Sequence, residues 1–171
     1  MFQLSTAASA ILESAYEVIN ESEFGYRFQT LVVEVLKGVP GLGDLCDNRA
    51  AGQPDCYANA SGVGVEIKAR QANPLALDAN SWKSLATYKS PRLVAMLTTV
   101  APYPLWVARL DGLTSGPIRL SRETPIDAEL ESQMQPTLSL LIEALGVQGI
   151  AEGSRDDLAN RAARSIAHAL Q

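Results

Sequence analysis

The amino-acid sequence predicts a mixed α/β domain in which a central mixed β-sheet of about five strands is flanked by helices. Apolar residues recur at helical spacing in the first and last thirds of the chain, whereas the middle alternates with a period of two. The 171 residues, 47% of them hydrophobic, suffice for one core without a disulfide or a metal. We therefore expect a single domain, 1–171, with an N-terminal helix (5–20), a core (22–110) and a helical tail (124–171).

The first third is predicted to form two helices. Ser5 or Thr6 is a suitable N-cap for the first of them. On the polar face of the second helix, Glu23 and Arg27 form an i,i+4 pair of opposite charge. Glycines and proline in the segment 38–43 are expected to end it. Its apolar face comprises Phe24, Phe28, Leu31, Val32, Val35 and Leu36.

The middle of the chain is predicted to contain a β-hairpin. Short strands are expected at Leu42–Cys46 and Asp55–Ala58. The segment 59–62 contains turn residues, and Val63–Arg70 is expected to return beside the preceding strand.

Beyond the hairpin, the pattern predicts one short helix, three strands and two terminal helices. Asn80 or Ser81 is expected to cap the short helix, and Ser154 to cap the last one. The strands are expected at Leu93–Val100, Leu105–Leu110 and Ile118–Leu120, and the terminal helices at Leu138–Leu145 and Asp157–Leu170.

Composition excludes several classes of site. One histidine and two cysteines are too few for a structural zinc site of the usual four ligands, and they give little support to a histidine-based triad. The N-terminal segment lacks the basic start and long apolar run of a secretory signal, and no apolar run approaches a membrane span. We expect a soluble, cytoplasmic protein with reduced thiols and no membrane partner.

Charge is unevenly distributed along the chain. The total is −5, with −5 in residues 1–48, +6 in residues 68–122 and −5 in residues 123–171. A basic middle between acidic ends is typical of a phosphate-facing surface, although scattered solvated charges explain it equally well. Arg70, Lys83 and Arg92 are the candidate phosphate contacts, and Lys83 is the one for which simple solvation is favoured.

The strand predicted at Val63–Arg70 divides into two faces. Val63, Val65 and Ile67 point one way, and Gly64, Glu66, Lys68 and Arg70 point the other way. The hairpin partner brings Asp55 beside Glu66 and Lys68. Charges within an apolar sheet cost free energy unless they are paired or bind a metal. We therefore predict a functional site at this position.

Metal-assisted phosphodiester hydrolysis uses such a set of residues. Asp55, Glu66 and the main-chain carbonyl of Ile67 are hard oxygen ligands suited to Mg²⁺. Lys68 is placed to orient the attacking water or to stabilise charge on the phosphoryl group.

The segment Pro54-Asp55, followed eleven residues later by Glu66-Ile67-Lys68, resembles the signature of the PD-(D/E)xK phosphodiesterase superfamily, which has the restriction-endonuclease-like fold. The resemblance covers about residues 22–110 and implies a nuclease that uses Mg²⁺, with Mn²⁺ as a substitute. Many members carry a glutamate on the preceding helix, where this chain has Gln29 in the stretch Gly25–Gln29. Glu34 and Glu23 are candidate replacements for that missing carboxylate.

The resemblance predicts a Mg²⁺-dependent DNA endonuclease of restriction or antiviral-defence type, acting as a homodimer or within a defence complex. An RNA-cleaving nuclease or toxin would have the same site. A non-enzymatic alternative, a binding or assembly module that has lost its metal site, is favoured by Gln29 and by the acidic total. Trp82 and Tyr88 either stack on a base or pack as ordinary aromatic residues.

Overall fold

A mixed β-sheet with helices on both faces forms the centre of the molecule in the computed structural model. The structure describes residues 1–47, 53–70, 76–112, 118–119, 121 and 123–169. The described helices are α1 (Thr6–Val18), α2 (Glu21–Lys37), α3 (Ala79–Leu85), α4 (Ala128–Ala151) and α5 (Arg155–Ala169). The described strands are β1 (Phe2–Gln3), β2 (Cys46–Asp47), β3 (Cys56–Ala58), β4 (Val63–Arg70), β5 (Ala76–Leu77), β6 (Ser90–Leu97), β7 (Pro104–Arg109) and β8 (Ile118–Arg119).

The main sheet has six strands in the order β1-β7-β6-β4-β3-β2. β4 and β6 are parallel, and their connection includes α3, whereas the other neighbouring pairs are antiparallel. β5 and β8 form a separate two-stranded sheet. The predicted mixed α/β class is confirmed, with six strands in the central sheet where about five were expected.

Two hydrophobic cores cover the two faces of this sheet. The larger core joins α1, α2, α4 and α5 to one face, where Val65 and Ile67 of β4 are buried. The smaller core joins α3 to the other face through Trp82 and Leu85. As predicted, Val65 and Ile67 point into a core; the opposite face is also covered in part, and Glu66 there is only 6% exposed. None of the described helices is long and apolar enough to cross a membrane.

Local signals account for most element boundaries. The Ser5 hydroxyl accepts a hydrogen bond from the Ala8 N–H and caps α1, as predicted. The Ser154 hydroxyl likewise accepts from the Asp157 N–H at the start of α5. The hairpin turn is confirmed, and Gly62 within it has a φ of +72°, which glycine adopts without strain.

Other boundaries differ from the predictions. Asp78 caps α3 instead of Asn80 or Ser81, because its carboxylate accepts from the Ser81 N–H. The strand expected at Leu42–Cys46 is confined to Cys46–Asp47. α4 begins ten residues before the predicted Leu138 and contains a non-helical Gly146.

Arg27 does not lie on a solvated helix face as its pairing with Glu23 suggested. It is 6% exposed and ion-pairs with Glu23 at 2.9 Å. Its guanidinium also donates to the main-chain carbonyls of Ile150, Glu152 and Gly153. These carbonyls lie at the end of α4, where no further helical turn satisfies them, so Arg27 joins α2 to the α4–α5 connection.

Candidate active site

Asp55 lies immediately before β3, beside the part of β4 that extends past it. β3 begins at Cys56, which pairs with Val65, so Ile67 lies beyond the end of this ladder. The Asp55 Oδ2 accepts a hydrogen bond of 2.7 Å from the Ile67 N–H and replaces the missing strand partner. Because the N–H and C=O of one residue in a strand point to the same edge, the Ile67 carbonyl also faces the Asp55 side.

Glu66 and Lys68 lie two residues apart on the opposite face of β4 from Ile67. The Lys68 Nζ is 2.8 Å from the Glu66 Oε1. Glu66 is nearly buried, whereas the side chain of Lys68 retains 24% of its exposure. The pair is therefore more open to solvent on the side of Lys68 than on the side of Glu66.

Negative charge exceeds positive charge around Asp55. Burial is the main cause that raises the pKa of Asp55 to about 6, and repulsion from Glu66 raises it further. The hydrogen bond from Ile67 and the charge of Lys68 act in the opposite direction but do not compensate. A divalent cation bound between the carboxylates would remove this electrostatic cost.

Asp47 is a further carboxylate of the site that the sequence did not indicate. It pairs with Cys56 across β2 and β3, and its charge also raises the pKa of Asp55. The Gln29 Nε2 on α2 donates to the Asp47 Oδ1 at 3.3 Å. Gln29 is thus connected to the site through Asp47. In the sequence, Asp47 directly follows the short strand expected before Asp55–Ala58, and this position is the only signal that could have identified it as a site residue.

The two proposed replacements for the missing helix carboxylate both form other ion pairs. Glu23 binds Arg27 and also Arg155, at 2.8 Å. Glu34 binds Lys37 at 3.0 Å, one turn along α2, and lines one cavity with Asp47. Asp47 adds negative charge near Asp55.

Arg92 does not lie with the other candidate phosphate contacts. It is the register partner of Val65 and projects from the sheet face opposite to Glu66. Its side chain is 12% exposed and ion-pairs with Asp111 and Asp127, each at 2.9 Å. We therefore remove Arg92 from the predicted phosphate contacts, because its charge is already balanced within the fold.

The other two candidates remain predictions. Lys83 is exposed on α3, on the side of the sheet that carries Glu66. The side chain of Arg70 lies outside the described residues. The structure thus brings Asp55, Ile67, Glu66 and Lys68 together, and it links Gln29 to them indirectly.

The donor atoms suit a hard divalent cation. Within the described part of the chain, no three His, Cys, Asp or Glu side chains converge on one point at metal-binding distances. Mg²⁺ does not require three, because it keeps several waters and is held by one or two carboxylates together with substrate phosphate. Asp55, Glu66 and the Ile67 carbonyl match that requirement.

Comparisons with protein-family models, with curated proteins and with solved structures found no match to this chain.

Proposed function

We propose that this chain is a Mg²⁺-dependent nuclease that hydrolyses phosphodiester bonds in DNA. The observation that supports this most directly is the hydrogen bond between Asp55 and the Ile67 N–H. It holds a carboxylate against the edge of β4 beside the Glu66–Lys68 ion pair. Placing Asp55 beside a second, nearly buried carboxylate costs electrostatic free energy, and a purely structural role at the end of a strand does not explain this cost.

Asp55, Glu66 and the Ile67 carbonyl would hold the ion. Its chemistry, when bound, is polarisation of a phosphoryl oxygen and a lowered pKa of water. The two carboxylates are fixed before binding, Asp55 by Ile67 and Glu66 by Lys68. Little ordering entropy is then lost on binding, which favours affinity at a site with few protein ligands.

Lys68 has two roles in this proposal. Its ammonium group orients the attacking water, and it stabilises the negative charge that develops on the phosphoryl oxygens. Glu66 positions it through the 2.8 Å contact. The remaining exposure of Lys68 leaves its other N–H donors available to the substrate.

Asp47 and Gln29 extend the site on the side of α2. Gln29 orients the Asp47 carboxylate through its amide N–H. Asp47 would hydrogen-bond waters of the ion, the role that a helix glutamate has in the superfamily which this sequence resembles.

The resemblance favours DNA as the substrate and a role in restriction or antiviral defence. RNA is the alternative substrate. Each chain has one site and cuts one strand, so cleavage of both strands of a duplex favours a homodimer or a complex with other subunits. We propose a cytoplasmic location and nucleic acid as the principal partner.

Three single variants test the proposal. Asp55→Asn and Glu66→Gln should abolish cleavage of plasmid and oligonucleotide substrates and weaken Ca²⁺ binding measured by calorimetry. Lys68→Ala should abolish cleavage while the protein still binds Ca²⁺, because both carboxylates remain. Glu123→Gln, a change at an exposed turn, is the matched control.

Cleavage at the normal rate by the Asp55→Asn protein would refute the assignment. A wild-type protein that binds neither Mg²⁺ nor Mn²⁺ would instead support the assembly-module alternative, which Gln29 favours.

A further inference from the structure

Two tyrosines lie on the same sheet face as the candidate active site. Tyr57 of β3 is the register partner of Gly64 of β4, so both residues project to one side. Gly64 shares this side with Glu66, two residues further along β4. A separation of two strand residues is about 7 Å.

Tyr88 packs directly on Gly64. A Cβ atom at Gly64 would lie 2.7 Å from the Tyr88 ring, so only glycine permits the ring to approach the strand this closely. The Tyr88 hydroxyl donates to the Gln53 Oε1 at 3.3 Å. The rings of Tyr57 and Tyr88 are 5.9 Å apart between centroids and inclined at 37°. Both rings are therefore held in position while remaining only half-buried.

Ordinary core packing does not explain this pair. Other partly buried aromatic residues in the described part of the chain do pack on a core, Tyr16 on the larger and Trp106 on the smaller. Trp82 is buried in the smaller core. Tyr57 and Tyr88 pack on neither core, and their rings contact each other at the edge of the candidate site.

We propose that Tyr57 and Tyr88 form a stacking site for an unpaired nucleobase of the nucleotide next to the cleaved phosphodiester. This inference rests on the proposed nuclease function. The distance from Gly64 to Glu66 is one that a single nucleotide spans between its base and its phosphate. Lys89, which follows Tyr88, is exposed, and its side chain lies against Gly62 at the hairpin turn.

The stacking site restricts the class of substrate. Bases in an intact duplex have both faces covered by neighbouring base pairs, so a tyrosine ring reaches them only after they leave the stack. The substrate is therefore single-stranded DNA, or a duplex with a flap, a junction or a flipped nucleotide at the cleavage position. Stacking on tyrosine is tolerant of sequence, because every base has a π-face.

The test measures binding without turnover. Fluorescence anisotropy in Ca²⁺ compares a labelled oligo(dT) with an abasic oligonucleotide of equal length, which retains the phosphates and lacks the bases. Tyr57→Leu and Tyr88→Leu should each weaken oligo(dT) binding about tenfold, within the range typical of base–aromatic stacking. Binding of the abasic strand should not change in either variant. Tyr57→Phe and Tyr88→Phe retain the rings and should bind oligo(dT) within about twofold of wild type.

The outcomes separate this inference from the nuclease proposal. Unchanged oligo(dT) affinity in both leucine variants, with their thermal unfolding intact, would overturn the stacking site even if cleavage by wild type is observed. An equal loss for the abasic strand would also overturn it. Ring-dependent binding in a protein that cleaves nothing in Mg²⁺ or Mn²⁺ would support the stacking site and refute the nuclease. Because Tyr57 lies on β3 and Tyr88 lies after α3, the Tyr57→Leu variant tests the site even if Tyr88→Leu is unfolded.

Discussion

Neutralising Asp55 should stabilise the metal-free protein at neutral pH, although it abolishes the proposed activity. The pKa of Asp55 is raised from its ordinary value of 3.8 to about 6, first by burial and then by Glu66. Such a difference corresponds to about 3 kcal/mol between the two protonation states. Asparagine is never charged and still accepts the Ile67 hydrogen bond, so it avoids this cost.

The sign of the effect depends on pH. Below pH 3.8 the carboxyl is protonated in both the folded and the unfolded chain, and Asp55 contributes its full stability. As the pH rises to about 6 and above, the folded state must ionise a group that the unfolded state ionises more easily. The wild type should lose up to about 3 kcal/mol relative to Asp55→Asn across this window. For a chain of this size that is about 6–12 °C in Tm.

Urea unfolding in EDTA between pH 4 and 8 measures this difference directly. The free energies of unfolding of wild type and Asp55→Asn should be similar near pH 4 and should diverge up to pH 7. Glu123→Gln, at an exposed position, should follow the wild type throughout. Added Mg²⁺ should stabilise the wild type and leave Asp55→Asn unchanged, since a ligand stabilises only the folded state that binds it.

A lower stability of Asp55→Asn than of wild type at pH 7.5 would refute this prediction. A difference in stability between the two proteins that does not change with pH would refute it as well. The first result would show that the ionised carboxylate stabilises the fold, and the second that the pKa of Asp55 is not raised in the folded state.

Three other predictions follow from the fold. Gly64→Ala should lower the free energy of unfolding in urea by about 1–3 kcal/mol, because its Cβ would collide with the Tyr88 ring. Adding Tyr88→Ala to the same chain should recover most of this loss. An unchanged free energy of unfolding in Gly64→Ala would contradict this packing. Arg27→Leu should cost about 1–3 kcal/mol because the carbonyls of Ile150 and Gly153 lose their donor, whereas Glu23 keeps its ion pair with Arg155. Arg27→Lys should restore only part of this loss, and an unchanged free energy of unfolding in Arg27→Leu would contradict the role of Arg27. In Ca²⁺, Arg70→Ala should reduce the slope of log affinity against log salt by about one, whereas Arg92→Ala should leave the slope unchanged; the opposite pattern would restore Arg92 as a phosphate contact.

The helices and strands that the sequence predicted most accurately are those whose boundaries depend on residues close by in the chain. α2 repeats its apolar residues over four turns, so its buried face is evident from the sequence. β4 alternates over eight residues and follows a turn, so its two faces and its partner β3 were both predictable. The meeting of Asp55 with Glu66 and Lys68 follows from that hairpin, because its register depends on a turn of a few residues.

Residues whose partners are distant in the chain were not predictable. Arg27 and Glu23 have the spacing of a solvated helix pair, and only the packing of α2 beside the end of α4 makes Arg27 a buried donor. Arg92 belongs to a basic segment by composition, yet Asp127 reaches it from another element. β1 and β5 have two residues each, too few for any periodicity.

The site divides in the same way. Its hairpin half, Asp55 with Glu66 and Lys68, is determined by the sequence alone, since alternation and turn length operate within sixteen residues. Only the tertiary structure brings together its other half, Asp47 with Gln29. The packing of Tyr88 on Gly64 likewise depends on the tertiary structure. Periodicity shows which face of an element is buried, whereas the neighbour that covers this face depends on how all the elements pack together.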